Sequence, residues 1–139
     1  MNENLPALSL RQPWLYAILF SGKNIENRTW STRYRGRLRL HASKTYDSDG
    51  ADWLRARGFN CPGLLAARNA GLLGAYLGEV TLVDCLPFDV GTAPEDGPHR
   101  WAFGPVCWVL RDPVAYREPI PGRGYPGLYW PERFEKRAR

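Results

Sequence analysis

The sequence predicts an α+β fold built round a small β-barrel. Three observations lead there: several short runs alternate with a period of two, at least two segments carry helix signals, and glycines interrupt the most strand-like run where a barrel strand must bend. With 139 residues, 44% of them hydrophobic, the chain can bury one compact core and falls short of two ordinary domains, so residues 1–139 read as a single domain.

Leu8 to Leu10 is a short apolar stretch ending in Arg11-Gln12-Pro13. Pro13 suits the first turn of a helix running through Trp14, Tyr16 and Ile18, which Ser21-Gly22 stops. Asn24 to Trp30 then alternates as a strand does, with Ile25, Asn27 and Thr29 on one side and Glu26, Arg28 and Trp30 on the other. After a turn at Tyr34-Arg35-Gly36, Leu38, Leu40 and Ala42 oppose Arg37, Arg39, His41 and Ser43. This is the pattern of a half-buried strand whose cationic side faces solvent or a cleft.

Asp47 to Gly58 reads as a helix, with Asp47 or Ser48 as its cap and Gly58 as its terminator, while 61–71 has no decisive pattern. Leu72 to Cys85 is the most strand-like run, and Gly74 and Gly78 within it mark a bulge or a sharp bend. Phe88 to Pro98 is a loop rich in Gly, Pro and acids. Trp101 to Arg111 is a further strand interrupted at Gly104-Pro105, and Pro119 to Trp130 is expected to be irregular or briefly extended. There are no repeats, low-complexity tracts or heptads.

Nineteen Lys and Arg against fourteen Asp and Glu leave a net charge of +5, which favours polyanionic partners. Six tryptophans and seven tyrosines sharpen that expectation, since bases stack on aromatic faces beside cationic side chains; the same rings also serve as core filling. RNA, a nucleotide or a nucleoside is the expected partner, with DNA open on the same phosphate chemistry and a protein partner left unspecified. Cys61, Cys85 and Cys107 are odd in number and widely spaced, as reduced thiols of a cytoplasmic chain are. They form no CxxC pair, and with His41 and His99 the only imidazoles, neither a metal nor a cofactor is expected. Glu3 stands where a signal peptide would carry basic residues, and no stretch approaches the roughly 20 apolar residues that span a bilayer, so no membrane association is expected.

Three blocks carry a family resemblance: Ser9-Leu10-Arg11-Gln12-Pro13-Trp14; Gly22-Lys23-Asn24-Ile25-Glu26-Asn27-Arg28-Thr29-Trp30; and Tyr34-Arg35-Gly36 followed by Leu40-His41-Ala42-Ser43-Lys44. In order and spacing they resemble the ASCH domain family, and the likeness continues through Gly78-Glu79-Val80, the strand at Trp101 and Gly127-Leu128-Tyr129-Trp130. The resemblance implies a PUA-like β-barrel with flanking short helices, a cleft beside the Gly22-Lys23 loop, and a role in binding RNA or modified nucleosides. Some bacterial members are similar to amidohydrolases that deacylate N4-acetylcytidine with a lysine, a threonine and a glutamate, and another branch is associated with RNA cleavage. Lys23 aligns with that lysine. Glu26 stands where the hydrolases carry threonine, and a carboxylate cannot replace a hydroxyl nucleophile in the same step, though it can act as a general acid or base. The third residue, a downstream glutamate, is not assigned, since Glu79 lies in a strand match and Glu95 in a variable loop.

Two functions remain open. In the first, the domain binds RNA or a nucleotide in a basic, tryptophan-lined cleft that takes one single-stranded or extruded base. Gln12 and Trp14 read and cover the base, Glu26 accepts from a base amino group, and Lys23, Arg28, Arg35 and Lys44 hold the backbone, with Trp30 and Ser43 beside them and Arg123 and Tyr125 closing over the cleft. In the second, Lys23, Glu26 and His41 are the acid-base groups of a metal-independent ribonuclease or an N4-acylcytidine amidohydrolase. Each residue also has a plainer reading. Lys23 pairs with Glu26, its amine shifted by Arg11, Arg28 or Arg35 if reactive; Trp14 anchors a helix; His41 is a hydrogen-bonded strand residue. A third possibility is a protein-interaction adaptor, which leaves the charge pattern without a purpose. Both main functions require the Gly22–Trp30 and Arg35–Lys44 stretches to converge on one hollow.

Overall fold

The computed structural model describes residues 5–88 and 100–132. Six strands form one sheet in the order β2-β5-β4-β3-β1-β6. They are β1 (Ala7–Gln12), β2 (Ile25–Arg28), β3 (Gly36–Tyr46), β4 (Ala75–Pro87), β5 (Val106–Pro121) and β6 (Leu128–Tyr129), with helices α1 (Trp14–Phe20), α2 (Ser48–Ala56) and α3 (Leu64–Asn69) among them. Only the β1–β3 pair is parallel; the other four are antiparallel. The sheet curls into a half-barrel, and together with the helices it makes the predicted α+β small-barrel architecture.

The period-two pattern sets what faces inward. Leu8 and Leu10 of β1, Leu38, Leu40 and Ala42 of β3, Val80 and Leu82 of β4, and Trp108 and Leu110 of β5 form one buried cluster with Leu15 and Ile18 of α1. Gly78 lets the chains close: a β-carbon there would lie 2.5 Å from the carbonyl oxygen of Val114 and 2.8 Å from Leu19 Cδ2. The β4–β5 register shifts between Tyr76 and Gly78, the bulge expected of that glycine. A second cluster gathers Ala17, Ile25, Leu54, Trp101, Ala102 and Cys107 beneath α2.

Several expectations change. The strand from Asn24 stops at Arg28, so Trp30 does not continue its polar face. Instead Trp30 packs edge-on against buried Trp108, ring centres 4.8 Å apart, and its carbonyl accepts the Trp108 indole N–H at 3.0 Å. The strands bearing Glu26 and His41 do not pair; β2 lies against β5, and β3 lies between β1 and β4. The polar side of β3 is only partly open, because the C-terminal segment covers its middle at Arg39 and His41 while Ser43 lines the cavity. Arg39 is 0% exposed and holds Glu132 through two hydrogen bonds of 2.6 and 3.0 Å. Residues 61–71 contain α3, and the segment from 119 continues β5 to Pro121. Most of the expected loop from Phe88 to Pro98, with Glu95, and also His99, lies outside the described residues.

No helix among the described residues is long and apolar enough to cross a membrane.

Candidate functional site

Between β1, β2 and α2 lies a cavity of about 520 Å³, within the usual range of ligand sites. One part of its lining is aromatic: Trp14, Trp53 and Phe103. Trp14 begins α1 and its position is fixed from two sides. Its indole N–H donates to Asp47 Oδ2 at 2.8 Å, and Gly50 of α2 lies so close that a β-carbon there would be 2.6 Å from Trp14 Cζ2. Trp53, one turn along α2, meets Trp14 at 5.9 Å and Phe103 at 5.6 Å between ring centres. Asp47 is both the cap of α2, accepting from Gly50 N at 2.9 Å, and the anchor of the indole. Burial by itself would raise its carboxyl pKa, but the hydrogen bonds from Gly50 and Trp14 and nearby Arg11 hold it below the usual value.

A buried chain of charges lines the same cavity. Lys23 is 4% exposed; its ammonium donates to the carbonyl of Ile25 and to Glu26 Oε1, the latter at 3.2 Å. Glu26 Oε2 pairs with Arg28 Nη2, also at 3.2 Å. Arg28 Nη2 in turn donates to the Ser9 carbonyl of β1 at 2.9 Å, while Arg28 Nε–H is buried without a hydrogen-bond acceptor among the described residues. Burial lowers the Lys23 pKa, opposed by the Glu26 carboxylate and reinforced by Arg28. Desolvation leads here, where the sequence pointed to repulsion by neighbouring arginines, and neither Arg11 nor Arg35 takes part.

Asn27, on the same short strand, fixes the segment that brings Phe103 to the cavity. Its side-chain oxygen accepts from the backbone of Phe103 at 2.8 Å and of Gly104 at 2.9 Å, and its amide donates to the Trp101 carbonyl at 3.0 Å.

A second hollow of about 860 Å³ adjoins the first, sharing Ser9, Arg28 and Ser43, and reaches the glycine-rich stretch 122–127. His41, Lys44 and Arg123 line it. His41 is 2% exposed, with Nδ1 2.8 Å from Ser9 Oγ and Nε2 2.8 Å from the Gly122 carbonyl. The carbonyl can only accept, so Nε2 carries hydrogen and Nδ1 accepts from the serine hydroxyl. Burial lowers the imidazole pKa against the opposing effect of the Gly122 bond, which keeps the ring neutral near pH 7.

The structure therefore brings Trp14, Lys23, Glu26, Arg28 and Ser43 to one cavity, and places His41, Lys44 and Arg123 on its neighbour. Convergence comes through sheet curvature: the Arg28–Ser9 bond joins edge strand β2 to β1, four places away in the strand order. Three expected site residues lie elsewhere. Gln12 is 1% exposed, its oxygen accepting from Tyr16 N at 2.9 Å and its amide donating to the Leu72 carbonyl at 3.2 Å. Trp30 is packed on Trp108. Arg35 pairs with Asp84 at 3.2 Å and lines neither hollow. Missed by the sequence reading as site residues were Asp47, recognised only as a cap; Trp53, inside the expected helix from Asp47 to Gly58; Asn27, placed only as a strand residue; and Phe103, within the expected strand from Trp101.

Among the described residues, no three His, Cys, Asp or Glu side chains gather as metal ligands would.

The half-barrel with an aromatic, charge-lined cleft belongs to the PUA-like class of small β-domains. More particularly, the sequence pattern of the ASCH domain matches residues 8–103, and the chain belongs to the ASCH domain family. No curated protein matches the chain at a significant level. Family membership points in general terms to an RNA-binding domain.

Proposed function

We propose that this domain binds single-stranded RNA by admitting one base into the cavity between Trp14, Trp53 and the Lys23–Glu26–Arg28 chain. The observation that carries the reading is the pairing, in one cavity, of fixed aromatic faces with buried hydrogen-bonding groups. Rings supply stacking to any base, at about 1–3 kcal/mol each. Glu26 retains lone pairs for a base amino group, and the buried Arg28 Nε–H lacks an acceptor that a base carbonyl or ring nitrogen would supply. The net charge of +5 adds an attraction for the strand that does not depend on sequence.

Fluorescence anisotropy with labelled oligoribonucleotides tests this. Binding is expected to weaken steeply as salt rises and to fall by about tenfold or more for Trp14→Ala, the loss of one stacking face. Absence of binding at low salt, or full affinity in Trp14→Ala, would refute it. DNA of the same sequence in parallel shows whether the site distinguishes the sugar.

A second reading, hydrolysis of RNA or of an acylated cytidine, draws on one observation: the Lys23 amine is buried and its pKa is lowered, as an amine acting as base or nucleophile requires. That amine is engaged by Ile25 and Glu26, so a substrate must displace one of them. Turnover of N4-acetylcytidine or labelled RNA, abolished in Lys23→Ala, is the expected result if this reading holds.

A further inference from the structure

The two adjoining hollows differ in charge. Glu26, Asp47 and Asp49 place three carboxylates in the lining of the first. The second is lined by Arg28, Lys44 and Arg123, with no acidic side chain among its lining residues. Arg28 already shares Glu26, but Lys44 and Arg123 are exposed and form no ion pair among the described residues. Arg123 instead lies over the Tyr125 ring at 5.3 Å, and the aliphatic stem of Lys44 runs along Gly74. Both cations are thus held at the rim by neutral neighbours. His41 adds no charge near neutral pH.

Arg28 lines both hollows, and its buried Nε–H lacks an acceptor among the described residues. A ligand spanning the two hollows runs along their shared lining of Ser9, Arg28 and Ser43 and can supply one. An aromatic cavity with acceptors suits a heterocycle bearing amino groups, and an adjoining hollow with uncompensated cations suits an anion.

We propose that the second hollow is a phosphate subsite, so that the ligand of the joined cavities is a nucleotide or a strand, not a free base or nucleoside. This rests on the reading of the first cavity as the base site. The phosphodiester next to the inserted base lies between Lys44 and Arg123, with Arg28 at the junction.

Titrating the full chain with the four ribonucleosides and their 5′- and 3′-monophosphates at low salt, followed by amide chemical shifts, tests the subsite. At least one monophosphate is expected to bind tighter than its nucleoside by on the order of tenfold, the attraction of two cations for one phosphate in water. The Lys44→Ala/Arg123→Ala double variant is expected to lose that increment and keep the nucleoside affinity. Equal affinity of nucleoside and monophosphates, or an increment that survives in the double variant, overturns the phosphate subsite while leaving the base site standing. Failure of every nucleoside and monophosphate to bind overturns both.

Discussion

Replacing Glu26 by alanine removes the single carboxylate that lies between two cations. Lys23 is left with a side chain 3% exposed, its ammonium held by the Ile25 carbonyl and the face of Trp14 at 5.7 Å, whereas Arg28, 21% exposed, keeps its bond to the Ser9 carbonyl. Most of the penalty therefore falls on Lys23. Orphaning a buried charge costs about 3–5 kcal/mol. Lys23→Met is milder, at about 1–2 kcal/mol, because Glu26 retains Arg28 and the methionine fills similar space. With m near 2 kcal/mol/M for a domain of this size, Glu26→Ala should lower the urea midpoint by roughly 2 M and Lys23→Met by less than about 1 M, both at unchanged m. The pH response supplies an independent check. Burial lowers the folded pKa of Lys23 from 10.5 and Glu26 opposes this, so the variant lowers it further. Between that lowered value and 10.5 the unfolded chain binds the extra proton, and stability must rise with pH. The Glu26→Ala deficit should accordingly shrink as pH increases above neutrality. A variant as stable as the parent, Lys23→Met as the worse of the two, or a deficit that grows with pH would refute the assignment of a buried, carboxylate-dependent ammonium.

Three further outcomes follow from the packing. Gly50→Ala drives a β-carbon to 2.6 Å from Trp14 Cζ2 and should cost about 1–3 kcal/mol while shifting tryptophan fluorescence; an unchanged melt and spectrum would show that the indole is not held there. Glu132→Ala removes the bidentate partner of fully buried Arg39 and should cost about 3 kcal/mol in a denaturant titration, with a loss under 1 kcal/mol counting against the buried pair. The pKa of His41 is lowered from 6.5 in the folded state, so the unfolded chain binds more protons below that value: stability should be flat in His41 above about pH 7 and fall as pH drops from 6.5 through the folded pKa. His41→Asn should flatten that part of the profile relative to the parent, and an identical slope in both proteins would remove His41 as its source.

The alternation over Arg37 to Ser43 separated the core face of β3 from the other face, because side chains at i and i+2 share a side whatever lies beyond them. What covers the second face is not local information. Arg39 meets Glu132, 93 positions on, and His41 meets Gly122, 81 positions on, so two polar residues that read as a cleft wall are buried beneath the C-terminal segment. Trp30 shows the related failure at a strand end: the alternation carries through it, but pairing with β5 stops at Arg28. Lys23, Glu26 and Arg28 were legible as a group because they crowd one short strand and the loop before it. Their aromatic counterparts on α2 and at Phe103 depend on how that helix and the segment held by Asn27 fold back across the sheet.

The bond from Arg28 to the Ser9 carbonyl is a stitch across the open side of the half-barrel. If a base engages the rest of that guanidinium as proposed, filling the cleft and fixing the spacing between the first and second strands become one mechanical event. The proposed grip on a guest and the stiffness of the seam would then be set by the same side chain.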